Sequence, residues 1–156
     1  MIRTPSGGEP IVKDVFRRFS CSTGSMKQPI EEGQFKNLFV LEPNRELNEA
    51  YQVAFETHGI TVSGFFDYGE LNQALEEVVP DAVIVDLRLP SEAGVESFKL
   101  FRKAHPQLPT YLTATFDIEP RMALELGILG IFYKPFRVKQ VVTQLLLDFK
   151  VANGHK

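Results

Sequence analysis

The chain carries one cysteine, Cys21, among its 156 residues, which excludes an internal disulfide and any thiolate metal cluster within one chain. Cys21 reads as an ordinary unpaired thiol. Long apolar runs are also missing, and none approaches the roughly 18 residues of a membrane span. The N-terminus sets Pro5, Gly7, Gly8, Glu9 and Pro10 where an export signal needs an apolar stretch, so the expected address is cytoplasmic, with no membrane partner. Basic charge is not in excess: the formal net charge is −3 and the Lys and Arg residues are scattered, which argues against direct nucleic-acid binding. No Gly-x-Ser-x-Gly elbow occurs, and His58, His105 and His155 lie away from nucleophile partners, so hydrolase chemistry finds no support.

What remains is a globular composition, 44% hydrophobic and 24% charged, in a chain long enough for one domain and a tail. Residues 1–36 are rich in Pro, Gly and Ser and read as a flexible N-terminal extension. Within it Ile11, Val12, Val15, Phe16 and Phe19 fall on one side of a helical period, a segment too short to be a stable helix alone. Met26 supplies a second start codon.

From residue 37 short apolar runs alternate five times with longer amphipathic segments. The spacing predicts strands at 38–41, 60–65, 82–85, 110–112 and 130–133. The first helix, about 45–58, is expected to bury Leu47, Tyr51, Val53, Ala54 and Phe55 and to stop at Gly59. The second opens on a capping box, Asp67 with Glu70, and turns Leu71, Ala74, Leu75 and Val78 inward. The third, about 93–104, buries Val95, Phe98, Leu100 and Phe101 and ends before Pro106. The fourth starts near Glu119-Pro120 and closes at Gly127, and the fifth follows Pro135 with Val138, Val141, Val142, Leu145, Leu146 and Phe149 at helical spacing. Five right-handed βα units give an α/β fold, a flavodoxin-like doubly wound parallel sheet of strand order 2-1-3-4-5. The domain is expected over 37–150, with 151–156 a tail.

In such a sheet the ligand crevice lies at the carboxyl ends of the strands, beside the switch between the first and third. Glu42, Asp86, Thr113 and Lys134 each stand at or just after such an end. Singly, these are a turn-forming acid, a solvated lysine or a threonine bonded to its own backbone. Together they make a phosphoryl site. Asp86 is the candidate nucleophile and Glu42 a candidate ligand for a divalent cation, while Lys134 and Thr113 face phosphoryl oxygens.

The segments Val83-Ile84-Val85-Asp86-Leu87-Arg88-Leu89-Pro90 with Gly94, Leu112-Thr113-Ala114 and Tyr133-Lys134-Pro135-Phe136 resemble the response-regulator receiver family of two-component signalling, over about residues 35–150. The resemblance implies Mg2+-assisted phosphoryl transfer to Asp86 from a sensor histidine kinase or histidine phosphotransfer protein. It also implies a metal contact from the Arg88 backbone carbonyl, a cis bond before Pro135, and phosphorylation-dependent binding of a downstream protein. Such domains often pair through the fourth helix, fifth strand and fifth helix. No output domain is expected in the chain, and no enzymatic role beyond catalysing its own phosphorylation and dephosphorylation.

Three departures stand out. The family's two adjacent acids are Glu42-Pro43 here, so Mg2+ affinity is expected to fall, with Asn44 offering an amide oxygen instead. Ile131 occupies the position where the family has Tyr or Phe, with Phe132 and Tyr133 out of register. The loop after Thr113 is about one residue short; Arg88 and Thr115 are the variable positions beside the acid. Pro43 thus motivates an alternative, a pseudo-receiver that binds proteins with impaired Mg2+-dependent phosphorylation. A flavin or nucleotide site is disfavoured because Glu42-Pro43-Asn44-Arg45 lacks glycine and would repel phosphate.

Overall fold

The computed structural model describes residues 35–87 and 92–152. The amphipathic stretch at 11–19, Cys21, Met26, Arg88 and the last four residues of the expected tail lie outside the described residues. The elements alternate as read from the sequence: β1 (Asn37–Leu41), α1 (Arg45–Glu56), β2 (Thr61–Phe65), α2 (Tyr68–Leu75), β3 (Ala82–Leu87), α3 (Glu92–Ala104), β4 (Thr110–Ala114), α4 (Pro120–Leu126), β5 (Gly130–Tyr133) and α5 (Val138–Ala152). All strand pairs are parallel, in the order β2-β1-β3-β4-β5.

The period of two along each strand sends alternate side chains to opposite faces. Phe39, Leu41, Val83, Val85, Leu112 and Ile131 meet Leu71, Phe98, Phe101 and Ala123 from α2, α3 and α4. Leu38, Val40, Ile84, Tyr111 and Phe132 meet Tyr51, Phe55, Val141, Leu145 and Phe149 from α1 and α5. All six residues of β3 are buried, as a central parallel strand requires. Phe35 stacks on Phe149 with ring centroids 4.4 Å apart, and the Lys36 and Asn37 amides donate to Asp81 Oδ2 at 2.7 and 2.9 Å. The packed body therefore takes in residue 35, and α5 runs to Ala152.

Local signals set the helix ends. Asn44 caps α1, accepting from the Leu47 amide at 2.9 Å, and Asp67 caps α2, accepting from the Glu70 amide at 2.8 Å. Glu70 returns a bond by accepting from the Phe66 amide, one residue before the cap. Gly59 and Gly127 take left-handed φ values of 79° and 68°, which side chains disfavour.

Three residues expected in the core are not there. Val53, Leu100 and Val78 are 65%, 67% and 51% exposed. On α1 the inward line runs through Tyr51 and Phe55, and a position two residues from either lies about 200° around the helix. The same geometry turns Leu100 away from the line of Phe98 and Phe101. Val78 lies beyond α2, which ends at Leu75.

Where β4 begins, Arg102 near the end of α3 donates to six acceptors: the carbonyls of His105, Pro106, Leu108, Leu126 and Gly127, and Thr110 Oγ1. One guanidinium thereby joins the ends of α3 and α4 to the start of β4. Its burial lowers its proton affinity from the usual arginine value.

Candidate functional site

At the other end of the sheet, β1 pairs one residue further than its formal bounds, as the Glu42 amide donates to Phe65 O at 3.0 Å. Pro43 has no N–H, and the next donor, the Asn44 amide, bonds Glu42 Oε2 at 2.9 Å. The Glu42 carboxylate is thus turned inward by its own loop and is 2% exposed. The Asn44 side chain, an expected substitute for the missing acid, is occupied by the α1 cap.

Asp86 and Thr113 lie inside their strands, one residue from the ends of β3 and β4, and are register partners. Thr113 Oγ1 donates to Asp86 Oδ1 at 3.0 Å. Lys134 follows β5, its amide donating to Ala114 O at 2.8 Å, and its bond to Pro135 is cis, as expected. Lys134 Nζ lies 3.0 Å from Asp86 Oδ1 and 3.1 Å from Glu42 Oε1. The fold therefore brings all four predicted side chains into one pocket, although 92 residues separate Glu42 from Lys134.

Burial shapes the electrostatics. Removal from water raises the Glu42 carboxyl above the usual 4.5, opposed by the Asn44 amide, reinforced by the Asp86 charge and opposed again by Lys134. The Tyr51 hydroxyl is pushed up by burial and by the charges of Glu42 and Asp86, and Tyr68 by burial and Asp86. Because folded Glu42 holds its proton more tightly than the unfolded chain does, stability of the metal-free domain should fall as pH rises from 4.5 through the raised folded value. Glu42→Gln should remove that part of the slope in urea unfolding across mildly acidic pH. Identical slopes in both proteins would contradict it.

The geometry suits a hard, hydrated cation only modestly. The donors are oxygens, as Mg2+ prefers, but they amount to two carboxylates already bridged by Lys134. Among the described residues no group of three or more His, Cys, Asp or Glu could hold a metal. The expected Arg88 carbonyl lies outside the described residues.

Two features were not foreseen. Tyr133 shares the face of Ile131, and its hydroxyl accepts from the Ile118 amide at 3.2 Å, pinning the loop between β4 and α4. The aromatic thought out of register thus contacts the segment after Thr113. The second is Asn48, fully buried in α1 beneath the pocket; an asparagine in a helical run gave no sign of this.

The family model for the response regulator receiver domain matches residues 38–146. The chain belongs to the response regulator receiver domain family. The receiver is 26% identical over 107 residues to the DNA-binding transcriptional regulator NtrC of Escherichia coli K12, covering 67% of this chain and 23% of that protein. It is 31% identical over 108 residues to the C4-dicarboxylate transport transcriptional regulatory protein DctD of Rhizobium meliloti, covering 68% of this chain and 24% of that protein. The chain thus spans about a quarter of the length of these relatives. In fold, it matches the receiver domain of the Francisella response regulator 1452 with a TM-score of 0.64 at 19% identity, over 74% of this chain and 98% of that one. Among the described residues no helix is long and apolar enough to cross a membrane.

Proposed function

We propose that this receiver accepts a phosphoryl group on Asp86 from a sensor histidine kinase or a histidine phosphotransfer protein, and signals in the cytoplasm through protein binding that depends on the modification. The observation that carries this reading is the convergence of Thr113 Oγ1 and Lys134 Nζ on one oxygen of a buried carboxylate, each at 3.0 Å. An Asp86 oxygen forms the new O–P bond as the P–N bond of a phosphohistidine breaks, and the electron pair leaves with the imidazole nitrogen, which takes up a proton. Thr113 and Lys134 then face the added phosphoryl oxygens, where charge-assisted bonds are strongest. Glu42, Asp86 and the Arg88 carbonyl would hold Mg2+, which when bound neutralises phosphoryl charge.

Phosphorylation adds about −1.5 to −2 charge beside Thr113 and Lys134, enough to bias the loop and helices that follow them. The proposed output and pairing surface is the α4-β5-α5 face, where Leu124 and Leu147 are 53% and 44% exposed. A second reading, a pseudo-receiver, is favoured by Pro43, which leaves Glu42 as the single acid after β1. Beryllofluoride with millimolar Mg2+ separates the two. Amide shifts spreading from Asp86 through Thr113 to Lys134 support phosphoryl acceptance; an unchanged spectrum supports the pseudo-receiver.

A further inference from the structure

The amide of Asn48 is fully buried on the inward line of α1, where Tyr51 and Phe55 supply aromatic rings. Burying an amide is costly unless its donors and acceptor are matched. Here they are. Nδ2 donates to Glu42 O at 3.0 Å and to Phe65 O at 3.2 Å, and Oδ1 accepts from Gln52 Nε2 at 3.0 Å. The two carbonyls belong to the exits of β1 and β2, which are themselves joined by the bond from the Glu42 amide to Phe65 O.

Gly64 makes room for this arrangement. A Cβ there would stand 1.9 Å from Asn48 Oδ1 and 2.8 Å from its Cγ, so a side chain at this point of β2 would expel the amide. The glycine serves a close approach, a recognised reason for glycine inside a strand. The consequence falls on Glu42. Its carboxylate accepts from the Asn44 amide and its carbonyl from Asn48 Nδ2, so both are held by residues that follow Pro43.

We propose that Asn48, seated against Gly64 and steadied by Gln52, is a positioning residue that fixes Glu42 toward Lys134 and the cation site. In a pocket where one acid does the work of two, its aim is the limiting quantity. The proposal rests on the receiver reading for its metal half only.

The test is a Mg2+ titration followed by the amide signals of Glu42, Asp86 and Lys134 in the full chain, together with hydrogen exchange of the Asn44 amide in metal-free protein. Asn48→Ala should raise the half-saturating Mg2+ concentration by about tenfold, the size of effect seen when a partner that orients a metal ligand is lost. It should also speed Asn44 exchange. Gly64→Ala should do the same, and the double variant should be no worse than Gly64→Ala, because the obstructed side chain is gone. In a Glu42→Gln background Asn48→Ala should change Mg2+ binding no further. Phe55→Leu, a core change on the same helix, should lower stability and leave half-saturation alone. Should Asn48→Ala fail to fold, Gln52→Ala, which only unsteadies the amide, should give a smaller rise in the same direction.

Unchanged half-saturation with unchanged Asn44 exchange overturns the proposal, as does a rise that persists in Glu42→Gln. A wild-type protein that ignores Mg2+ overturns the metal half of the receiver reading instead, and positioning is then decided by Asn44 exchange.

Discussion

Replacing Asp86 with Asn should reduce phosphoryl incorporation from a phosphohistidine donor or a small-molecule phosphodonor to background. The amide keeps the shape of the side chain and can still meet Thr113 Oγ1, but it lacks the anionic oxygen that forms the O–P bond. The loss should be separable from unfolding. Asp86→Asn forfeits attraction to Lys134 3.0 Å away, yet it also removes a negative charge that disfavours ionised Glu42, so the two electrostatic changes oppose each other. Denaturation midpoints close to wild type, with background incorporation, are the expected pair of results. Incorporation at wild-type stoichiometry would place the acceptor elsewhere.

The largest expected loss of stability comes from the opposite end of the sheet. Arg102→Ala strips a donor from six acceptors at once, in loops that join α3, β4 and α4. Several of those carbonyls can turn to water, so the penalties do not simply add, and a loss of about 3 kcal/mol is expected, corresponding to a thermal midpoint lower by roughly 10 °C. Arg102→Lys should recover little of it, because a single ammonium cannot reach acceptors that the planar fork spans. Urea unfolding measures the loss directly. A change under about 0.5 kcal/mol, the ordinary range for surface substitutions, would show that the network is ornamental.

Much of this architecture was legible because it rests on short-range rules. Apolar runs bounded by breakers marked every strand, the Asp67 and Glu70 pair marked the start of α2, and Gly59 and Gly127 fell where a left-handed turn ends a helix. The site was legible for a topological reason: in a parallel sheet, residues at successive strand ends must converge, so Glu42, Asp86, Thr113 and Lys134 could be grouped without knowing any distance.

What escaped the sequence depended on contacts between elements. Val53 and Leu100 looked inward because they are apolar, but helical phase outweighs residue type when stronger aromatic neighbours set the inward line. Arg102 stands in a last helical turn, where cations are common, and that position alone does not announce the acceptors its guanidinium meets. Asn48 carried no signal of its own, since nothing local says that two strand-end carbonyls will lie above it. Gly64 was the available signal: a glycine inside an otherwise regular strand points to a close approach. The role of Tyr133 was hidden because counting from Lys134 gives strand register and leaves the path of the loop carrying Ile118 unspecified.

The central claim concerns a single carboxylate, and borohydride trapping tests it at that atom. After exposure to a phosphodonor with Mg2+, reduction converts an aspartyl phosphate to homoserine, and peptide mass spectrometry locates the change. The account predicts one conversion per chain, at Asp86 and nowhere else. An unmodified Asp86 at saturating donor and millimolar Mg2+, or a conversion at Glu42 or another acid, would contradict it.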